Sequence, residues 1–218
     1  MNIKEKRATI IVQTLKALFP KIQPSLHFSN PFEFLVAVIL SAQCTDARVN
    51  IVTRDLFKKY TSVKDFAGAS QEEFEQDIRS TGFYRNKAKN ILATSHIIHE
   101  KYDDQVPKTM GELLELPGVA RKTANVVLGY EFGVVEGVAV DTHVKRLSNL
   151  YGLTTEQNPI KIEQDLMKVL PKSEWVEYTM RMVEYGRKYC PASKHDHAHC
   201  PITMALTEAK LDPKSQQQ

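Results

Sequence analysis

Between Thr109 and Arg146 the chain reads TMGELLELPGVARKTANVVLGYEFGVVEGVAVDTHVKR, and this stretch constrains the fold more than any other. Thr109 followed by Glu112 is a capping box that starts a short helix, with Leu113, Leu114 and Leu116 as its apolar face. Pro117 cannot continue that helix and drives Leu116 toward an extended backbone. Gly118 allows a positive φ or the close approach of another backbone. A second helix then starts near Ala120 and shows Ala124, Val127, Leu128 and Phe132 on one side. The amides of Val119, Ala120 and Arg121 are left without intrahelical acceptors, so Gly118, Val119 and Ala120 form a candidate anion cradle. An ordinary packed helical hairpin has the same pattern, so the turn alone does not decide between them.

Two ionisable residues sharpen the reading. Lys122 lies in the first turn of the second helix, where the macrodipole opposes a positive charge. That field, with any desolvation, favours the neutral amine that a nucleophilic lysine needs. The apolar run Val138-Ala139-Val140 then delivers Asp141 to the start of a third helix. Asp141 reads as an N-cap and equally as a rigidly held carboxylate.

Elsewhere nearly every segment carries helical periodicity, and strand-like alternation is weak. Helices are predicted over 4–18, from Asn30-Pro31 through FEFLVAVILSA, from Thr45 or Asp46, after a Ser70/Glu73 capping box, and over 86–100, 142–151, 159–170 and 174–189. Trp175, Tyr178, Met182, Tyr185 and Tyr189 form an aromatic stripe that reads as core rather than as a base-stacking platform. The apolar fraction of 42% and charged fraction of 25% are ordinary for a globular chain of 218 residues. A net charge of +3 is compatible with a nucleic-acid partner without requiring one. The N-terminal stretch lacks a signal-peptide core, no apolar run is long enough to span a membrane, and three cysteines fit a reducing compartment.

LPGVARKTANVVL followed by VAVDTHVKR resembles the endonuclease III family of helix-hairpin-helix DNA glycosylases, with matching segments from about Asn30 to Cys190. The resemblance implies an all-α fold of two helical lobes with an inter-lobe DNA-binding groove. One lobe would span 22–134 and the other would join 1–21 to 135–210; the tail 211–218, LDPKSQQQ, reads from its own residues as disordered. The resemblance also implies that Lys122 is the nucleophile and Asp141 an essential carboxylate. The expected activity is excision of oxidised pyrimidines from damaged double-stranded DNA, coupled to cleavage at the abasic site, by a cytoplasmic, nucleoid-associated monomer. A monofunctional mismatch glycosylase and a non-catalytic DNA-binding module are the alternatives. The intact Lys122 and Asp141 argue against both.

Two loops read as DNA-facing. Ser41-Ala42-Gln43-Cys44-Thr45-Asp46 is a polar break after an apolar helix. The resemblance places Gln43 where the family fills the gap left by an extruded nucleotide, and its amide can both donate and accept. Arg79-Ser80-Thr81-Gly82-Phe83-Tyr84-Arg85-Asn86-Lys87-Ala88-Lys89 surrounds a glycine turn with four basic residues and two aromatics. That mixture suits a wedge that unstacks bases and seeks phosphates, and equally a solvated basic face. Phe83 stands at the family's second wedge, Arg85 beside it. His143, near Asp141, is a further candidate backbone contact.

The C-terminal loop 190–206 departs from the family. Where the family carries four cysteines for a [4Fe-4S] cluster, this chain has Cys190, His197, Cys200 and Leu206. Two of the four usual thiolates are missing, so the expectation is a loop without a cluster or other cofactor, held by packing. A zinc site drawn from Cys190, His195, His197, His199 and Cys200 is the alternative.

Overall fold

The computed structural model describes residues 1–213, and every regular element among them is helical. In chain order the α-helices are α1 (Ile3–Leu18), α2 (Pro31–Leu40), α3 (Asp46–Lys59), α4 (Val63–Ala67), α5 (Gln71–Asp77), α6 (Tyr84–Tyr102), α7 (Met110–Leu114), α8 (Arg121–Glu131), α9 (Thr142–Leu150), α10 (Pro159–Val169), α11 (Trp175–Lys188) and α12 (Pro201–Glu208). They divide into two compact units, Pro24–Val134 and a second that joins Met1–Gln23 to Val135–Gln218.

The Pro24–Val134 unit is built around α2. Its sequence, PFEFLVAVIL, is apolar on nearly every side, and a helix of that kind must be enclosed. It packs on α3, α6 and α8, and Phe34, Leu35, Ala37 and Leu40 are buried. Its start is set by Asn30, whose side chain accepts the Glu33 amide at 2.9 Å, with Pro31 in the first helical position. Phe66, from the short helix α4, packs edge-on to Phe32 and against Tyr60 and Phe74, with centroids 5.1–5.7 Å apart. Ser70 does precede α5, but its side chain makes no capping bond.

In the other unit α1 packs on α10, α11 and α12. A complete capping box between Asn2 and Glu5 starts it, and Ala8, Ile11 and Leu15 line its buried face. Trp175, Tyr178, Met182 and Tyr185 of α11 are core, as their spacing predicts. The segment expected as loop to residue 206 instead forms α12, whose Ile202 and Leu206 are fully buried. At the expected disordered tail, Leu211 is tied down: its amide donates to the Leu206 carbonyl at 2.8 Å, and its carbonyl accepts from the buried Arg7 at 2.8 Å. Residues 214–218 of that tail lie outside the described residues.

Candidate functional site

The hairpin forms because three features agree. Thr109 accepts the Glu112 amide at 3.3 Å and starts α7. Leu113, Leu116 and Val119 are buried, whereas Leu114, expected on the same face, points outward. Gly118 has φ +80, and a Cβ there would sit 2.9 Å from the Asn90 Cβ of α6. Both the left-handed backbone and the tight approach therefore demand glycine. Thr94 of α6 donates to the Pro117 carbonyl at 2.9 Å and fixes the turn from below. One expected cradle amide is withdrawn, since Val119 N–H donates to the Leu116 carbonyl at 3.1 Å. The remaining donors belong to the first turn of α8, which starts from Ala120 without a side-chain cap.

Lys122 is the second residue of α8 and is exposed. Its position is set by burial of the opposite face, where Ala124, Val127 and Leu128 have no exposure.

Asp141, in the other unit, is the N-cap of α9 and accepts the Val144 amide at 2.8 Å. Buried Val138, Ala139 and Val140 anchor the approach, and Thr179 of α11 donates to the Ala139 carbonyl at 2.8 Å. One carboxylate oxygen is engaged in the cap, so the side chain is oriented before any ligand arrives. His143 turns partly inward: its Nδ1 is buried without a hydrogen-bond partner, over Gly186 of α11, where a Cβ would collide with the ring. Burial holds its pKa below the usual histidine value.

The two loop residues share a property that their sequence does not disclose. Gln43 has φ +52 and Phe83 has φ +49. Neither is glycine, so each conformation costs of order 1–3 kcal/mol and must be held by its surroundings. Both side chains are exposed, Phe83 by 66%, which is unusual for a large aromatic. Lys87, read from sequence as one of four phosphate-seeking cations, does something else. It is buried, and its ammonium donates at 2.8 Å to the carbonyls of both Leu40 and Thr81. Leu40 ends the helix before Gln43, and Thr81 precedes the Gly82-Phe83 turn. One buried cation therefore ties together the two strained loops. Arg85 stays outward, 3.9 Å from Glu75 and over the Tyr84 ring.

The expectation of a loop with no cofactor is corrected by the geometry beyond α11. Cys190, His195, His197 and Cys200 each turn one donor atom inward, and these atoms all lie within 4.8 Å of one another. Both thiols are buried. Four converging soft and borderline donors could hold a metal ion. A cubane in its usual form uses four thiolates. Here two are present, and the fourth family position is Leu206, enclosed in the core. The donor set thus does not match the usual cubane, and its closeness suits a single ion.

Residues 36–172 match the family described as HhH-GPD superfamily base excision DNA repair protein. Endonuclease III of Synechocystis sp. is 50% identical over 210 residues, covering 96% of each chain. Endonuclease III of Bacillus subtilis is 44% identical over 210 residues, 96% of this chain and 95% of that one. A solved structure of a trapped endonuclease III–DNA covalent intermediate matches with TM-score 0.88 at 42% identity, covering 100% of this chain and 99% of that one. A thermostable thymine-DNA glycosylase, 19% identical with TM-score 0.81, shares the fold. On this similarity across nearly its whole length, the chain belongs to the HhH-GPD superfamily of base excision DNA repair proteins and, within it, to the endonuclease III family.

Proposed function

We propose that Lys122 and Asp141 carry out the two reactions of this base-excision enzyme, a DNA glycosylase with abasic-site lyase activity on oxidised pyrimidines. The observation that carries the reading is Lys122 at the exposed start of α8, directly after the Pro-Gly turn, in a chain half identical to an endonuclease III.

A base within a duplex is out of reach, so the damaged nucleotide must leave the stack at a cost of a few kcal/mol. The first-turn amides of α8 suit a phosphate, holding the backbone without reading sequence. Gln43 fills the vacated space, and Phe83 wedges the neighbouring step. The Lys122 amine then attacks C1′. The N-glycosidic bond breaks, its electron pair leaves with the base, and Asp141 stabilises the positive charge on the sugar and helps remove the lysine proton. Opening of the sugar ring gives an imine between Lys122 and C1′. The imine acidifies the C2′ proton, whose loss expels the 3′ phosphate by β-elimination, and hydrolysis of the imine regenerates the amine. Asp141 serves here as a base and a charge partner, which its N-cap bond leaves one oxygen free to do.

The site of action is the cytoplasm, on nucleoid DNA. No helix among the described residues is long and apolar enough to cross a membrane.

The test is strand incision on a duplex carrying one thymine glycol, compared with an undamaged duplex. The wild-type protein is expected to release the base and cut the strand, and Lys122→Ala to do neither while still binding. Base release without incision by the wild type would instead favour a monofunctional glycosylase.

A further inference from the structure

The departure from the four-cysteine pattern leaves a donor set with its own logic. We propose that Cys190 Sγ, His195 Nε2, His197 Nδ1 and Cys200 Sγ bind one zinc ion, a structural Cys2His2 centre at the place where the family carries its cluster.

Two of the three short donor separations match the edges of one tetrahedral ion, the third is slightly longer, and all four donor atoms lie within 4.8 Å of one another. Cys190 Sγ lies 3.4 Å from His197 Nδ1, and Cys200 Sγ lies 3.3 Å from His195 Nε2 and 4.0 Å from His197 Nδ1. Zn–S bonds of about 2.3 Å and Zn–N bonds of about 2.0–2.1 Å make tetrahedral edges of about 3.3–3.8 Å. The two imidazoles converge, their ring centroids 4.1 Å apart.

The surroundings set the ligands' protonation. His195 Nδ1 is 2.9 Å from the Ser193 carbonyl. A carbonyl only accepts, so Nδ1 carries the hydrogen and Nε2 turns a lone pair toward Cys200. The Cys190 sulfur receives Arg146 Nη1 at 3.8 Å and the Tyr151 hydroxyl at 3.7 Å, both donors suited to a thiolate. Cys200 donates its thiol proton to the Tyr189 carbonyl at 3.2 Å, and a metal would take that proton's place. Two thiolates and two neutral imidazoles cancel the charge of Zn²⁺, so a half-buried site needs no countercharge.

The same geometry excludes the third histidine. Asp196 accepts the Ala198 amide at 2.9 Å and pairs with His199 Nδ1 at 2.8 Å, which holds His199 out in solvent. The ion would join Cys190, just past α11, to Cys200, the residue that starts α12. With all four positions filled by protein the centre is structural rather than catalytic.

The test is elemental analysis of the full-length protein after gel filtration. About one zinc per chain is expected, as for a closed four-ligand site, with no acid-labile sulfide. His195→Ala and Cys200→Ser should lose most of the metal, and His199→Ala should keep it. Cobalt(II) loaded in place of zinc should give the visible ligand-field bands of a tetrahedral thiolate site, and chelation should lower the unfolding temperature. Iron with sulfide, a metal-free protein, a Cys190–Cys200 disulfide, or loss of zinc in His199→Ala but not His195→Ala would each overturn the proposal. If His195→Ala fails to fold, the cobalt spectrum of the wild type decides, because tetrahedral S2N2 coordination is required of it.

Discussion

Gln43 and Phe83 lie far apart in the chain, yet both hold left-handed backbone and both belong to loops anchored by the Lys87 ammonium. Strain of this kind persists where the surrounding structure enforces it, and it concentrates at functional sites. The strain here coincides with exposure of an amide and an aromatic ring, the two side chains proposed to occupy the vacated stack.

Relieving the strain should therefore raise stability and lower activity together. Gln43→Gly is expected to stabilise the protein by about 1 kcal/mol, because glycine accepts a positive φ without steric penalty. Incision of a damaged duplex should fall by at least about tenfold, a loss of roughly 1.4 kcal/mol of transition-state stabilisation. Urea midpoints and single-turnover rates measured on the same preparation check this. A variant less stable than wild type would show that the Gln43 backbone is not strained, and unchanged incision would show that Gln43 does not serve the reaction.

Lys87 should matter more to the fold than a surface lysine. Lys87→Met keeps the buried stem but leaves two carbonyls without their donor. At about 1–3 kcal/mol per unpaired buried group, the expected loss for the two carbonyls is about 2–6 kcal/mol. Lys89→Met, on an exposed lysine of the same helix, should change stability by less than about 0.5 kcal/mol. Equal losses in the two variants would contradict the anchoring role.

Much of this was legible in the residues, for physical reasons that also mark the limit. The helices α1, α8, α10 and α11 announce themselves by apolar spacing at 3.6 residues, and α2 and α10 by their Asn-Pro starts. Gly118 signals its own positive φ because glycine is the residue that tolerates it. Gln43 and Phe83 carry no such signal, since their backbone is imposed by tertiary contacts. Lys87 reads as one more cation in a basic loop, and only the fold reveals the carbonyls that enclose it. The five-residue α4 is too short for periodicity to register. In the metal loop, His195, His197 and His199 alternate identically in sequence. The Asp196 side chain, by drawing His199 outward, selects which two turn in.

His143 predicts a pH dependence. Burial is the main cause of its lowered pKa; Arg146 and Arg187 push the same way, and Asp141 and Glu184 oppose them. Above the ordinary histidine value of about 6.5, both folded and unfolded states hold the ring neutral and there is no penalty. As pH falls through that value the unfolded chain takes up the proton first, so stability declines. The decline levels off once pH passes below the folded-state value. Unfolding midpoints between about pH 7.5 and 5 should therefore fall more steeply for wild type than for His143→Gln, in which the group cannot titrate. Parallel profiles would mean that His143 is not held neutral by the fold.

During turnover the amine of Lys122 is expected to become covalently joined to the sugar. Borohydride reduction during reaction with an abasic-site duplex, followed by proteolysis and mass mapping, addresses it directly. A reduced sugar adduct is expected on the peptide containing Lys122, and no adduct in Lys122→Ala. An adduct on a different amine, or none while the duplex remains bound and the wild type still cuts it, would show that Lys122 is not the nucleophile.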